Sequence, residues 1–292
     1  MSKVISDGYT PSQSVSDEEL KAMFARDAAA LSAASSPQAT KSIVPTEIIE
    51  LPSKGFFYPE GHPLANGTIE LKYMTAKEED ILSSQSLIKQ GVVIDKLLQS
   101  LIVTKVKYDD LLTMDKNAVF LAARVLAYGK DYEVEVTCPS CGVKSSHVVD
   151  LQQFDTKQID WSMFTKGQTT HKFVLPVGKQ ELTLKFLTHG DEKLIEDQLK
   201  GAKKLSKITG IDPELTTRLK YLIVAVDGDD NKINISKFVD NMLSRDSLAL
   251  RTHLKQCTPD IDTTFHFTCP SCGHEQDSMN LPIGISFFWP GV

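Results

Sequence analysis

The hexapeptide TCPSCG occurs twice in this 292-residue chain, at residues 137–142 and 268–273. A Cys-x-x-Cys pair places two thiolates on neighbouring vertices of a metal tetrahedron, and two such pairs supply the four sulfur ligands that Zn²⁺ takes in many structural sites. The pattern therefore predicts one structural Zn²⁺ ion that brings two distant parts of the chain together. The predicted ligands are Cys138, Cys141, Cys269 and Cys272. Because four sulfurs leave no open coordination position, hydrolytic zinc chemistry is not expected.

Two other interpretations of these cysteines stay open on sequence grounds. The first is a set of thiols or disulfides without a metal, and the second is a redox-active Cys-x-x-Cys motif, which normally stands between a strand and a helix. His147, His266 and His274 lie close to the motifs in sequence, and we expect them to have surface or supporting roles. The fifth cysteine, Cys257, is predicted to be a half-buried apolar residue in a helix.

A second, fainter repetition surrounds the two motifs. The segment TIELKYMTAKEEDIL at residues 68–82 matches ELTLKFLTHGDEKLI at 181–195, and MDKNAVFLAARVL matches RDSLALRTHLKQC. Each half then ends in a strand that leads into TCPSCG. The shared order indicates an internal duplication, which also explains why the cysteine pairs are farther apart than in compact zinc ribbons. We expect an α+β fold of two related strand–helix–strand modules, joined by a four-cysteine zinc knuckle pair.

Composition divides the chain into three regions. Residues 1–45 are rich in Ser, Ala, Thr and Pro, which predicts a flexible leader with one short amphipathic helix behind a Ser16–Glu19 capping box. That helix either frays on the surface or docks on a partner. Residues 46–150 hold the first repeat, with a Pro/Gly-rich loop near its start, and residues 151–292 hold the second repeat, with an aromatic C-terminus. In the second repeat, DGDDN at 227–231 predicts a hairpin turn between two strands.

Charge and motif content argue against several functional classes. The formal net charge of -6 gives no global attraction to nucleic-acid phosphates. The first residues lack the apolar core of a signal peptide and no stretch is apolar enough to span a membrane, so a soluble, intracellular protein is expected. No GxxxxGK[ST], GxGxxG, HExxH or GxSxG pattern occurs. We therefore predict that the protein is not an enzyme and has no small-molecule substrate.

Two aromatic segments are candidates for partner binding. One is GFFYPEGHPL, at residues 55–64, and the other is the closing LPIGISFFWPGV. Aromatic side chains either fill a core or anchor in a partner's pocket, where they often dominate the binding energy, and both alternatives remain open for these segments. The candidate residues are Phe56, Phe57, Tyr58, Phe287, Phe288 and Trp289.

The segment LPSKGFFYPEGHPLANGTIELKYMTAKEEDIL, the paired CPSC motifs and the terminal FFWP together resemble the baseplate hub subunits of T4-like tailed bacteriophages. The resemblance runs from about residue 45 to the end of the chain and leaves the leader uncovered. It implies a late viral protein with a structural or assembly role in the tail baseplate, made in the cytoplasm of the infected host. Its partners would be other phage tail proteins. The zinc prediction rests on the cysteine spacing of this sequence and not on the resemblance.

The expected mechanism is geometric. A metal shared by both halves would hold their exposed loops as one preformed docking surface, which reduces the ordering cost of assembly. One alternative is a zinc-ribbon-type nucleic-acid-binding protein, whose binding would weaken steeply with salt. The other is a Cys-x-x-Cys thiol oxidoreductase, which would need a depressed cysteine pKa.

Overall fold

Helices and small antiparallel sheets alternate along the chain, which confirms the α+β class. The computed structural model describes residues 44–210, 212–281 and 285–288. The leader helix predicted from the Ser16–Glu19 capping box lies outside these ranges, as does Trp289. No helix within them is both long enough and apolar enough to cross a bilayer.

Residues 46–150 form four strands and four helices. Their bounds are Thr46–Glu50 (β1), Thr68–Lys72 (β2), Ala76–Ser83 (α1), Gln85–Gln90 (α2), Val93–Leu101 (α3), Thr113–Tyr128 (α4), Asp131–Thr137 (β3) and Lys144–Asp150 (β4). β1 pairs antiparallel with β2, and Thr46 lies opposite Lys72. β3 and β4 form a hairpin in which Thr137 lies opposite Lys144. The first half thus begins with a strand pair and ends with a hairpin.

The second half repeats this order. Its elements are Thr170–Val174 (β5), Glu181–Lys185 (β6), His189–Thr209 (α5), Glu214–Leu222 (α6), Ile223–Val226 (β7), Lys232–Asp240 (α7), Ser244–Cys257 (α8), Thr264–Thr268 (β8) and Glu275–Asn280 (β9). β5, β6 and β7 form one antiparallel sheet, and β8 and β9 form the closing hairpin. In the first half, an isolated bridge between Leu71 and Ile102 takes the place of the β6–β7 pairing.

The helix that follows β2 and the helix that follows β6, α1 and α5, are capped in the same way. The Thr75 N–H donates to the Glu78 carboxylate at 3.1 Å, and the Lys72 ammonium pairs with that carboxylate at 2.7 Å. A side chain that accepts from the N-cap amide satisfies one of the donors that a helix start leaves free. The corresponding residues in the second half, with the same two distances, are Thr188, Asp191 and Lys185.

A buried aspartate anchors the first turn of α4 and of α8. Asp115 is fully buried and accepts hydrogen bonds from the Ser53 N–H at 3.0 Å, the Ser53 hydroxyl at 2.7 Å and the Tyr58 hydroxyl at 2.8 Å. Asp246 accepts from the N–H groups of Val177 and Gly178 at 2.8 and 2.9 Å. In both halves the helix therefore holds the loop that follows the first strand.

Two clusters of buried apolar side chains fill the interior. The larger cluster contains residues from both halves, among them Phe57, Leu97 and Val134 from the first and Phe186 and Phe267 from the second. The smaller cluster contains only residues between Leu175 and Leu250, under the β5–β6–β7 sheet. The larger cluster is therefore shared by residues on both sides of position 150.

Most of the aromatic residues proposed as partner anchors lie in the larger cluster. Phe57 and Phe287 are fully buried, and Tyr58 and Phe288 are nearly so. The Phe57 ring lies 4.5 Å from that of Phe186, centroid to centroid. Side chains with no exposed surface cannot fill a partner's pocket in this conformation, so we correct the prediction for these four residues in favour of the core alternative. Phe56 is half-buried and also packs against the cluster.

The segment after DGDDN differs from the expected hairpin. β7 ends at Val226, and Asp227 and Gly228 turn the chain with positive φ angles of 49° and 84°. The next residues then begin α7, because the Asn231 side chain accepts a hydrogen bond from the Ile233 N–H and caps the helix. The turn was predicted correctly, whereas the strand after it was wrong.

The Asp115 network gives a stability test. We expect Asp115→Ala to lower the free energy of unfolding by about 3 kcal/mol, because it leaves the Ser53 and Tyr58 donors buried without an acceptor. Urea denaturation measures the change, and Asp110→Ala, the same substitution at an exposed position, is the matched control. Equal midpoints for the two variants would show that the network contributes nothing to stability.

Candidate metal centre

The two TCPSCG motifs form the turns of the two hairpins. In the β3–β4 turn, the Cys138 N–H donates to the Val143 carbonyl at 2.9 Å and the Gly142 N–H donates to the Cys138 carbonyl at 2.9 Å. Gly142 has a φ of 73°, in the left-handed region that glycine adopts without strain. The β8–β9 turn makes the same bonds, at 2.8 and 3.0 Å, with Cys269, His274 and Gly273. The repeated Cys-Pro-Ser-Cys-Gly sequence thus encodes one turn geometry twice.

Strand alternation directs the first cysteine of each motif inward. Along β3, Tyr132, Val134 and Val136 are buried and the residues between them are exposed. Cys138 continues this period of two and is buried, and Cys269 does the same after Phe267. Cys141 and Cys272 are exposed. Each hairpin therefore contributes one inner and one outer sulfur.

The four sulfur atoms meet although they come from distant parts of the chain. The Sγ atoms of Cys138 and Cys272 are 3.8 Å apart, those of Cys141 and Cys269 are 3.7 Å apart, and all four lie within 4.8 Å of one another. A disulfide needs about 2.05 Å between sulfurs, and all five cysteines are free. A tetrahedral ion with Zn–S bonds of about 2.3 Å would separate its sulfurs by about 3.8 Å. The arrangement fits a four-thiolate metal site.

Backbone amides and neighbouring thiols change the acidity of the cysteines. The amides of Cys272 and Ser271, helped by adjacent thiols, lower the pKa of Cys269 to about 7. The Val143 amide acts in the same direction on Cys141, but local desolvation of its sulfur beside the other three thiols, and the contacts with those thiols, outweigh it and raise the pKa of Cys141 to about 12. The pKa values of Cys269 and Cys141 are thus shifted in opposite directions by the same cluster of sulfurs.

The histidines near the motifs do not join the four sulfurs. The His147 ring packs edge-on against Phe267, with centroids 4.9 Å apart, and one of its nitrogens contacts the Ser145 hydroxyl. His266 is exposed and contacts Asp277. The second strand of each hairpin, β4 and β9, was not predicted from the sequence. The apolar residues of KSSHVVD, at residues 144–150, are the adjacent Val148 and Val149, so β4 lacks the apolar–polar alternation that predicts a strand.

The exposed faces of the two hairpins are mainly acidic. The solvent-facing residues on β3 include Asp131, Glu133 and Glu135, and those on β9 include Glu275 and Asp277. Lys144 on β4 pairs with Glu135 at 2.7 Å, so its charge is partly neutralised. These faces do not present the basic surface that phosphate backbones attract.

Comparison with known proteins places the chain in a family. Residues 47–289 match the family model described as T4 bacteriophage base plate protein. The searches of curated proteins and of solved structures found no match. The matched range covers most of the chain and includes both hairpins and all four clustered cysteines. This protein therefore belongs to the T4 bacteriophage base plate protein family.

Proposed function

We propose that the protein is a structural or assembly component of the baseplate hub of a tailed phage, and that it acts through protein–protein contacts on a metal-linked scaffold. Family membership supports a structural role in the baseplate and other tail proteins as partners. The observation that carries the finer proposal is the convergence of four sulfurs from two hairpins far apart in the sequence. A scaffold held together in this way presents its surface loops in a fixed arrangement and needs less ordering when it assembles.

Zn²⁺ is the ion that we propose for the four-cysteine site, with Cys138, Cys141, Cys269 and Cys272 as ligands. Tetrahedral sets of four thiolates select zinc or iron, and zinc has no redox chemistry that a purely structural link would have to suppress. Structural zinc contributes on the order of 10 kcal/mol to the folding of small zinc domains. One such ion would fix the two hairpins relative to each other.

We further propose that residues 46–150 and 151–292 descend from one duplicated module, with the metal at their junction. The repeated order of elements supports this origin, as do the matching capping groups and the paired helix anchors Asp115 and Asp246. Without a common origin, a buried carboxylate at the third helix position that accepts from loop N–H groups would have to arise independently in each half.

The two alternative functions have less support. A nucleic-acid-binding zinc ribbon would need basic surface near the knuckles, where the exposed strand positions are mainly acidic. A thiol oxidoreductase would need its reactive cysteine at the start of a helix, with the two sulfurs of one motif poised to form a disulfide. Here both motifs form hairpin turns, and the 3.7 and 3.8 Å contacts run between the motifs.

The metal proposal is tested with a double variant at the two exposed ligands. We expect Cys141→Ser combined with Cys272→Ser to lose one zinc ion per chain and to melt at a lower temperature, because the exposed half of the coordination sphere is gone while the buried cysteines keep their packing. Elemental analysis of the reduced protein after dialysis measures the loss. Ser140→Ala combined with Ser271→Ala alters the same turns and should keep the ion. Equal zinc content in both double variants would rule out the site.

The assembly proposal is tested in infected cells that produce a tagged copy of the protein. We expect the tagged protein to recover baseplate proteins, hub components among them, after nuclease treatment and a high-salt wash, because protein contacts rather than phosphate contacts hold the complex. Mass spectrometry identifies the recovered proteins. The Cys141→Ser, Cys272→Ser variant should recover less, and the paired serine-to-alanine control should match the unaltered protein. Recovery of no tail proteins under these conditions, with nucleic acid recovered when the nuclease is omitted, would contradict the proposal.

A further inference from the structure

A second group of potential metal ligands lies away from the knuckles, where α8 packs on β5. His253 and Cys257 are four residues apart on α8 and so occupy the same face of that helix. His171 lies on β5, opposite Leu184 of β6, and is buried. Cys257 was predicted from the sequence to be a packing residue, and neither histidine carries a sequence signal of metal binding. Only the fold brings the three side chains together.

The ligand atoms of the three residues are close enough to share one ion. One nitrogen of each imidazole and the Cys257 sulfur all lie within 4.8 Å of one another. The distance from the Cys257 Sγ to the His171 Nε2 is 3.8 Å. A tetrahedral ion with metal–sulfur and metal–nitrogen bonds of about 2.3 and 2.0 Å would separate such a pair by about 3.5 Å. Small side-chain adjustments would complete the geometry.

Two buried nitrogens in this group have no hydrogen-bond partner among the described residues. They are Nδ1 of His171 and Nε2 of His253. His171 is 6% exposed, so water does not readily replace the missing partner. Buried polar atoms are nearly always hydrogen-bonded, and an exception indicates a missing ion or water or a functional role. Because His171 faces the Cys257 sulfur through its Nε2, the unpartnered Nε2 of His253 is the atom that points to a ligand, independently of the close approach of the three side chains.

Aromatic packing explains how the imidazoles are held but not why they are histidines. The His171 ring stacks on Phe186, with centroids 5.1 Å apart, and the His253 ring stacks on Phe173 at 4.3 Å. These contacts cover the faces of the rings and provide no hydrogen bond to the nitrogens, which lie in the ring plane. Phenylalanine would stack equally well and would bury no polar atom.

The first half of the chain shows what the fold requires at these positions. When Asp115 is aligned with Asp246, the residues that correspond to His253 and Cys257 are Ala122 and Leu126. When β1 is aligned with β5, Glu47 corresponds to His171. The related helix in the first half therefore places two apolar residues where the second half carries an imidazole and a thiol. A simple packing requirement does not account for that difference.

We propose that His171, His253 and Cys257 bind one transition-metal ion of the Zn²⁺ or Co²⁺ type, separately from the four-cysteine site. Two imidazoles and one thiolate form a ligand set that such ions favour, and three ligands leave a fourth position for water or an exogenous group. The Cys257 thiol loses its proton to solvent when the ion binds. This site does not depend on the proposed role in the baseplate hub.

The test is a Co²⁺ titration of the reduced, metal-free full-length protein. Co²⁺ bound to thiolate absorbs through sulfur-to-metal charge transfer, so the four-cysteine and one-cysteine sites give bands of different intensity. We expect two ions per unaltered chain and one ion for Cys257→Ala and for His253→Phe, each retaining the stronger four-thiolate band. The phenylalanine variant keeps the stack on Phe173, and Gln256→Ala, an exposed neighbour on the same helix, should bind two ions.

The outcomes separate this site from the first one. The Cys141→Ser, Cys272→Ser variant should lose the strong band and keep the weaker one. Two ions bound to Cys257→Ala would overturn the proposal, as would a single ion on the unaltered protein that the Cys141→Ser, Cys272→Ser variant loses. The number of ions that the unaltered protein binds tests the second site even where a variant fails to fold. If the unaltered protein shows the weaker band and no four-thiolate band, the metal-linked scaffold is contradicted and the second site stands.

Discussion

The meeting of four sulfurs at the tips of two hairpins is the constraint on which the rest of the structure depends. The pairs at 3.7 and 3.8 Å are too far apart for disulfides, and four thiolates at that distance would repel one another without a cation. The β3–β4 and β8–β9 hairpins must therefore approach in one orientation. Their inner faces, which include Val134 and Phe267, belong to the same hydrophobic cluster. Hydrophobic packing and the convergence of the four sulfurs thus involve the same two hairpins.

The helices that precede the hairpins set their direction. α4 leads into β3 and α8 precedes β8, and each helix is anchored through a buried aspartate to the loop after the first strand of its half. The two halves then differ in detail. Asp115 reaches a tyrosine hydroxyl as well as a serine, whereas α8 carries the imidazole and thiol groups that face β5. A shared framework therefore supports different side-chain chemistry in each half.

Local sequence patterns predicted several secondary-structure elements correctly, but they did not predict which side chains the rest of the chain would bury. The strand ahead of each TCPSCG motif and the turn at DGDDN were predicted correctly, because each follows from a local sequence pattern. The segment after DGDDN was predicted to be a strand, but the Asn231 cap made it a helix, because the four residues KINI are too few for their periodicity to distinguish a strand from a helix. Phe57 and Phe287 were proposed as partner anchors because a sequence does not show how much of an aromatic ring its own chain will cover.

The sequence by itself determined which cysteines form the main site and that their motif occurs twice. Cysteine spacing and glycine position are local properties, and a single hairpin turn is enough to place them. Cys138 and Cys141 were identifiable as a pair before any fold was known, and so were Cys269 and Cys272. Only the tertiary structure decided that the two pairs face each other and that His171 meets α8. Those distances depend on how helices and sheets pack, and packing sums many weak contacts between residues that are far apart in the chain.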